Sequence, residues 1–217
     1  MIEAEFRRTD KLILNYFTPF SNGKFIASCL MLSDQVHDMI PQGSREDRLL
    51  QTDDWGSVEY SDVDFWWLDH SYDWFNSRDW FNNLTDEAKL AIRSNEYCFY
   101  TCHEAYTVRY MKNLFPNAKI MSIIPDLNCT QANFEAKRGV SFKFTEQYNE
   151  FMNWEVIADA CMFPQTAIYN TDFENSFMNL CRQLGIVPAM EKVLHYRQQY
   201  LNNTFMQRAV SAMKNLR

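Results

Sequence analysis

Residues 18–25 read Thr-Pro-Phe-Ser-Asn-Gly-Lys-Phe, and they join turn-forming residues to a lysine, as a phosphate- or sulfate-binding turn would. The turn follows an apolar run at 11–17 and precedes apolar residues at helical spacing, so we predict strand, turn and helix over 11–33. Backbone N–H groups and the positive end of the helix dipole then face an anion. The residues predicted to bind it are Ser21, Asn22, Gly23, Lys24 and Phe25.

Within this turn, Gly23 would let a ligand approach the backbone closely, and Lys24 would supply a full positive charge. A Walker loop has an early glycine and a serine or threonine after the lysine, whereas this chain has Thr18 and Phe25 there. The lost hydroxyl is the usual magnesium ligand. An ordinary strand-to-helix turn with an exposed lysine is the alternative interpretation.

His103 follows the predicted strand 97–102, at the end of the strand where open α/β sheets bind ligands. A histidine there is suited to accept a proton near neutral pH. The alternative is a histidine that caps the next helix. Cys98 and Cys102 would lie on the face of the strand opposite to His103, so no metal site is predicted.

Two further segments have weaker signals. The run 120–126 is a hydrophobic strand that ends in Asp126, as a Walker B strand does and as many buried strands before a turn do. Lys137 and Arg138, with Lys143 nearby, form a basic cluster in the middle of the chain. That cluster is a candidate phosphate contact, and a solvated loop is its alternative.

These segments lie in a chain whose predicted strands alternate with predicted helices. Predicted strands cover 11–17, 97–102, 118–124 and 166–169, and predicted helices cover 25–39, 85–93, 104–114, 145–161, 172–184 and 188–216. Alternation of this kind indicates an α/β fold, a three-layer α/β/α sandwich with a mainly parallel central sheet.

The composition agrees with one globular domain. The chain has 217 residues with 47% hydrophobic and 16% aromatic side chains, enough for a packed core. We predict a single domain over 1–217, with an aromatic and acidic insert at about 51–82 and a long final helix at about 188–216. The net charge of −7 argues against a generally basic nucleic-acid surface.

Cellular location is inferred from the cysteines and the hydropathy pattern. No apolar signal-peptide core lies near residue 1 and no apolar run spans a membrane, so no membrane partner is expected. The six cysteines are scattered, mostly within apolar stretches, which indicates reduced thiols in a cytoplasmic protein.

Taken in order, these segments resemble the sulfotransferase family, whose members are P-loop-type α/β enzymes that use 3′-phosphoadenosine-5′-phosphosulfate. Residues 15–24, Asn-Tyr-Phe-Thr-Pro-Phe-Ser-Asn-Gly-Lys, are similar to the family's strand and 5′-phosphosulfate loop. Residues 100–103, Tyr-Thr-Cys-His, and the strand near 114–124 are similar to its Thr-His segment, helix and following strand. Residues 167–174 and 180–186 resemble the late strand and the helix that ends in Leu-Gly-Ile.

The resemblance implies a function. His103 matches the catalytic base of the small-molecule enzymes, which would transfer a sulfuryl group to a hydroxyl or amine of a small-molecule or glycan acceptor. Lys24 would stabilise the leaving phosphate. Pro125 and Asn133 occupy positions where the family has an arginine and a serine that bind the 3′-phosphate, so Asn133 is the implied contact there. A homo-oligomer is compatible with the sequence.

Two other functions stay open. A P-loop kinase or NTPase would use Lys24 on a β- or γ-phosphate and Asp126 near magnesium. A binding or assembly protein without catalysis could retain the same fold, and the substituted 3′-phosphate positions motivate that alternative.

Overall fold

The computed structural model describes residues 3–18, 21–38, 81–82, 84, 86–102, 105–138, 157–202 and 204–215. The insert predicted at 51–82 lies outside the described residues except at its last two positions. His103 and most of the helix predicted at 145–161 also lie outside them.

Five strands form a single sheet in the described part of the chain, and every neighbouring pair is parallel. The order across the sheet is β2-β3-β1-β4-β5, so the first strand is central. The strands are β1 Leu12–Tyr16, β2 Val36–Asp38, β3 Tyr97–Cys102, β4 Lys119–Ile124 and β5 Cys161–Pro164.

Helices connect and cover these strands. They are α1 Glu3–Phe6, α2 Gly23–Met31, α3 Asp86–Arg93, α4 Ala105–Leu114, α5 Leu127–Arg138, α6 Phe173–Leu184, α7 Met190–Asn202 and α8 Thr204–Asn215, with a 3₁₀ helix at Gln165–Tyr169. No helix among the described residues is long and apolar enough to cross a membrane.

The alternating side chains of β1 show that both faces of the sheet are covered. Ile13 packs in a core with α2, α6 and α7, whereas Leu12 and Leu14 pack in a second core with α1, α3 and α4. A strand buried on both sides reads as a continuous apolar run, which is how 11–17 appears in the sequence. The predicted three-layer α/β/α architecture is confirmed.

The strand order also fixes where the connections diverge. The helix after β1 lies on one face of the sheet, and the helix after its neighbour β3 lies on the other. Connections that leave neighbouring strands toward opposite faces open a crevice at the carboxyl ends of those strands. The register pairs Tyr16 of β1 with Cys102 of β3, so the chain leaves both strands at the same level.

Several predicted boundaries of helices and strands are confirmed. The helix predicted at 172–184 is α6, and it ends at Gly185, whose φ of 80° is in the left-handed region. The N–H groups of Gly185 and Ile186 both donate to the carbonyl of Cys181, at 2.8 and 2.9 Å, which satisfies the last turn.

Three predicted elements differ in the structure. The helix predicted at 25–39 ends at Met31, and Val36–Asp38 instead forms the edge strand β2. The fourth strand is Cys161–Pro164 rather than 166–169, because the short apolar run after Pro164 curls into the 3₁₀ helix. The final helix predicted at 188–216 is two helices, α7 and α8; the second packs against α5. Tertiary packing decides each of these cases, since short apolar runs fit strand and helix equally well.

Candidate functional site

The turn between β1 and α2 lies at the carboxyl edge of the sheet, next to the end of β3. Its first half is closed by hydrogen bonds to the carbonyl of Thr18: the Ser21 N–H donates at 3.2 Å and the Ser21 hydroxyl at 2.7 Å. Ser21 is fully buried, so its hydroxyl shapes the turn. The Thr18 hydroxyl is also buried, and it has no hydrogen-bond partner among the described residues.

Gly23 begins α2 and is required by a close contact within the protein. A Cβ built on Gly23 would lie 2.0 Å from Cγ of Phe17, so any side chain there would collide with the Phe17 ring. The sequence predicts that this glycine lets a ligand approach the backbone closely. The structure shows that the ring of Phe17 occupies that space.

Asn22 precedes α2 in a left-handed conformation, with φ 64° and ψ 22°, which asparagine tolerates better than most residues. Its side chain makes no capping hydrogen bond to the helix. Instead the carboxamide turns into the protein, where its Nδ2 donates to the Tyr200 hydroxyl at 2.8 Å.

Three hydrogen-bonding groups surround Oδ1 of Asn22. The amide nitrogens of Asn133 and Gln165 donate to it at 2.7 and 2.8 Å, and the Tyr169 hydroxyl lies 2.9 Å away. The Tyr169 hydroxyl also lies 3.0 Å from Oδ1 of Asn133, and its one proton can serve only one of the two oxygens. Asn22 and Asn133, predicted separately from the sequence, therefore meet in this cluster.

Gln165 ties the cluster to the next turn along the sheet edge. Its Oε1 accepts from the Asp126 N–H at 2.7 Å and from the Thr130 hydroxyl at 2.9 Å. Oδ1 of Asp126 accepts from the Cys129 N–H at 2.8 Å, which caps α5. Asp126, proposed above as a possible magnesium ligand, therefore holds the start of that helix.

Burial controls the ionisation of the two tyrosines. Desolvation raises the pKa of Tyr169 well above its usual value of 10, and hydrogen bonds from its surroundings only partly oppose the rise. Desolvation also raises the pKa of Tyr200. Both hydroxyls therefore keep their protons at neutral pH and remain hydrogen-bond donors.

Phe25, a predicted binding residue, is a core residue. Its ring stacks on Tyr200 at 4.1 Å between centroids and on Tyr196 at 5.5 Å, and only 2% of Phe25 is exposed. This stack fixes the start of α2 against α7. Lys24, by contrast, is half-buried in the first turn of α2 and is the charged residue of this turn.

The remaining predicted residues are only partly within the described chain. His103 lies outside it, and the residue before it, Cys102, ends β3 beside Tyr16 of β1. Lys137 and Arg138 form the last turn of α5, and their side chains lie outside the described part. Their roles, like that of His103, stay predictions.

Three members of the cluster were not predicted from the sequence: Gln165, Tyr169 and Tyr200. A signal existed for Gln165, because it is a polar residue directly after β5, at the strand end where parallel sheets bind ligands. Tyr169 and Tyr200 are 147 and 178 residues from Asn22, so no local pattern links them to it.

Within the described residues, no group of three or more histidine, cysteine, aspartate or glutamate side chains could hold a metal ion. No protein-family model and no curated protein matches this chain.

Proposed function

We propose that this chain is a sulfotransferase-like enzyme that transfers a sulfuryl group from 3′-phosphoadenosine-5′-phosphosulfate to a hydroxyl or amine of a small-molecule or glycan acceptor. The observation that carries the proposal is the pairing of β1 with β3 in the centre of a parallel sheet, which sets the end of β1, just before the Lys24 turn, beside Cys102 at the end of β3. His103 follows Cys102 in the sequence.

The proposed mechanism divides the work between the two strand ends. The first-turn N–H groups of α2 and the ammonium of Lys24 bind the 5′-phosphosulfate and stabilise charge on the leaving phosphate. His103 removes the proton of the acceptor as the acceptor oxygen or nitrogen bonds to sulfur. The bond between sulfur and the bridging phosphate oxygen breaks, and adenosine 3′,5′-bisphosphate leaves.

Several finer statements belong to the same proposal. The fold is of P-loop NTPase-like, sulfotransferase type, and the central position of β1 with a turn and helix directly after it supports this. Lys137 and Arg138 contact the donor from the end of α5. The protein acts in the cytoplasm as one domain, with neither nucleic acid nor membrane as its partner.

A binding or assembly protein without catalysis is the second candidate, and one observation favours it. Asn22 and Gly23 both face protein groups in this structure: the Asn22 carboxamide faces the hydrogen-bonding cluster, and Gly23 faces the ring of Phe17. The kinase alternative has less support, because Asp126 caps α5.

The test of the enzyme proposal is the release of adenosine 3′,5′-bisphosphate from the donor, measured by chromatography with a panel of phenol, amine and sugar acceptors. We expect His103→Asn to lower turnover about 100-fold or more and to remove the pH dependence of the general base. The matched control is His195→Asn, because His195 is an exposed histidine on α7 whose ring contacts Gln199. Equal turnover of wild type and His103→Asn, with one pH profile, would refute the role of His103.

A further inference from the structure

The carboxamide of Asn22 is surrounded by more hydrogen-bond donors than its oxygen can serve. A carboxamide oxygen has two lone pairs, and Oδ1 has two amide donors at 2.7 and 2.8 Å and the Tyr169 hydroxyl at 2.9 Å. If the Tyr169 hydroxyl donates to Oδ1 of Asn133 instead, its oxygen lies 2.9 Å from Oδ1 of Asn22 with no proton between the two oxygens. In either case one of the two oxygen–oxygen contacts of the Tyr169 hydroxyl holds no proton.

Every side-chain group that points at Oδ1 is a donor, and a phosphate or sulfate oxygen would match this arrangement better. Such an oxygen carries three lone pairs and negative charge, and charge-assisted hydrogen bonds are about twice as strong as neutral ones. Departure of the Asn22 side chain would also free the Tyr200 hydroxyl, which now accepts from Nδ2 of Asn22. The cluster would then offer four donors, from Asn133, Gln165, Tyr169 and Tyr200.

The surroundings favour an anion as well. The cluster adjoins the N-terminus of α2, a helix of nine residues that has no side-chain cap, and Lys24 lies in its first turn. Asn133 and Gln165 are 2% and 0% exposed, so the donors are pre-positioned and shielded from water. Asn22 itself is partly exposed, so the cluster lies close to the protein surface.

We propose that the Asn22 carboxamide is an internal placeholder for a phosphate or sulfate group, and that this group displaces it and is bound by Asn133, Gln165, Tyr169 and Tyr200. The inference deepens the proposed function, since it assigns side chains to one anionic group of the donor. It does not require transfer chemistry or His103, so it can hold even if the enzyme proposal fails.

The key variant is Asn22→Gly, which removes the placeholder and keeps the left-handed backbone, where glycine is unstrained. We expect inorganic phosphate to raise its melting temperature by about 2–4 °C once the free concentration exceeds the dissociation constant about fivefold. Wild type should need about tenfold more phosphate for the same shift, because its own side chain competes. Chloride at equal ionic strength corrects for general salt effects.

The matched control is Asn95→Gly, since Asn95 has the same φ of 64° but lies exposed between α3 and β3. Its phosphate response should equal that of wild type. Adding Asn133→Asp to Asn22→Gly replaces a donor with a carboxylate and should abolish the shift. Adenosine 3′,5′-bisphosphate and adenosine, tested on the same variants, separate a nucleotide phosphate from free phosphate as the source of the anion.

The outcomes distinguish a placeholder from an Asn22 side chain that only stabilises the fold. A phosphate shift in Asn22→Gly that exceeds those of wild type and Asn95→Gly, and disappears with Asn133→Asp, supports the placeholder. A folded Asn22→Gly with no excess shift overturns it.

If Asn22→Gly does not fold, the shifts of wild type and of Tyr169→Phe are measured with phosphate and with adenosine 3′,5′-bisphosphate. Equal shifts for those two proteins overturn the proposal, and a smaller shift for Tyr169→Phe supports it. Binding of the nucleotide without sulfuryl transfer would refute the enzyme proposal alone.

Discussion

The two edges of the sheet differ in the contacts that side chains make with the helix ends located there. At the amino edge, one ammonium and one hydroxyl group donate to carbonyls at the C-terminus of α6: Lys119 donates to the Leu184 carbonyl, and the Tyr97 hydroxyl donates to the Gly185 carbonyl at 3.2 Å. The ammonium of Lys11 lies 4.5 Å from the centre of the Tyr97 ring. Positive charge at the negative end of a helix dipole is the stabilising arrangement.

At the carboxyl edge, the N-terminus of α2 is treated differently. Asn22 stands at the position where asparagine usually caps a helix, yet its side chain turns away into a cluster of donors. One edge is therefore matched in charge and hydrogen bonding, and the other carries an excess of donors beside a positive helix end. This difference supports the proposal that the carboxyl edge binds a ligand at some cost in stability, whereas the contacts at the amino edge stabilise the fold.

The largest expected effect is that of Gly23→Ala at the carboxyl edge. Its Cβ would collide with the Phe17 ring, so we expect a loss of about 3 kcal/mol in the free energy of unfolding, at the upper end for overpacking. Urea denaturation measures it. The start of α2 should move with the ring, and binding of adenosine 3′,5′-bisphosphate should weaken too.

Gly185→Ala at the amino edge is the counterpart. Its Cβ would lie 2.7 Å from the Tyr97 hydroxyl in a left-handed conformation, and we expect a loss of about 1–2 kcal/mol. In this variant nucleotide affinity should stay within about twofold of wild type. Loss of affinity equal to that of Gly23→Ala would remove the distinction between the two edges.

Alkaline titration gives a third test, through Tyr169. Because burial raises the pKa of Tyr169 in the folded protein, folding keeps a proton that the unfolded chain loses near pH 10. Its contribution is fully present below pH 10 and is lost as pH rises from there toward the folded pKa, with a slope of at most about 1.4 kcal/mol per pH unit. Tyr169→Phe should lose less stability between pH 10 and 11 than wild type. An identical slope in the two proteins would contradict the raised pKa of Tyr169.

The smallest effect belongs to Lys119→Met, which removes the ammonium from the C-terminus of α6 and keeps most of the aliphatic side chain. We expect a loss of about 0.5–1 kcal/mol in the free energy of unfolding, measured by urea denaturation. High salt should reduce the difference, because it screens the charge. A loss of nucleotide affinity in this variant would show that the amino edge contributes to binding.

The sequence predicts the centre of this fold better than its margins. The continuous apolar runs of β1, β3 and β4 identify these strands nearly to the residue, because both faces of each are buried. The edge strand β2 is missed, since three residues after α2 carry no period of their own. The fourth predicted strand is displaced because 166–169 is too short for its pattern to separate strand from 3₁₀ helix.

The sequence likewise predicts one part of the candidate site and misses another. The turn that holds Asn22 and Lys24 is visible as a local pattern of turn residues between strand and helix, and it lies where that pattern predicts. The direction of the Asn22 side chain is not visible, because Gln165, Tyr169 and Tyr200 reach it from distant segments of the chain. The strand order brings the segment after β5 to this edge, and the packing of α7 against α2 brings Tyr200 there.

Isothermal titration of wild type, Lys24→Ala and Lys119→Met with adenosine 3′,5′-bisphosphate tests most directly whether the carboxyl edge is the binding edge. We predict 1:1 binding by wild type, an affinity about tenfold weaker or more in Lys24→Ala, as for the loss of one charged hydrogen bond, and no change in Lys119→Met. Absence of binding by wild type, or equal weakening by the two lysine variants, would contradict the account.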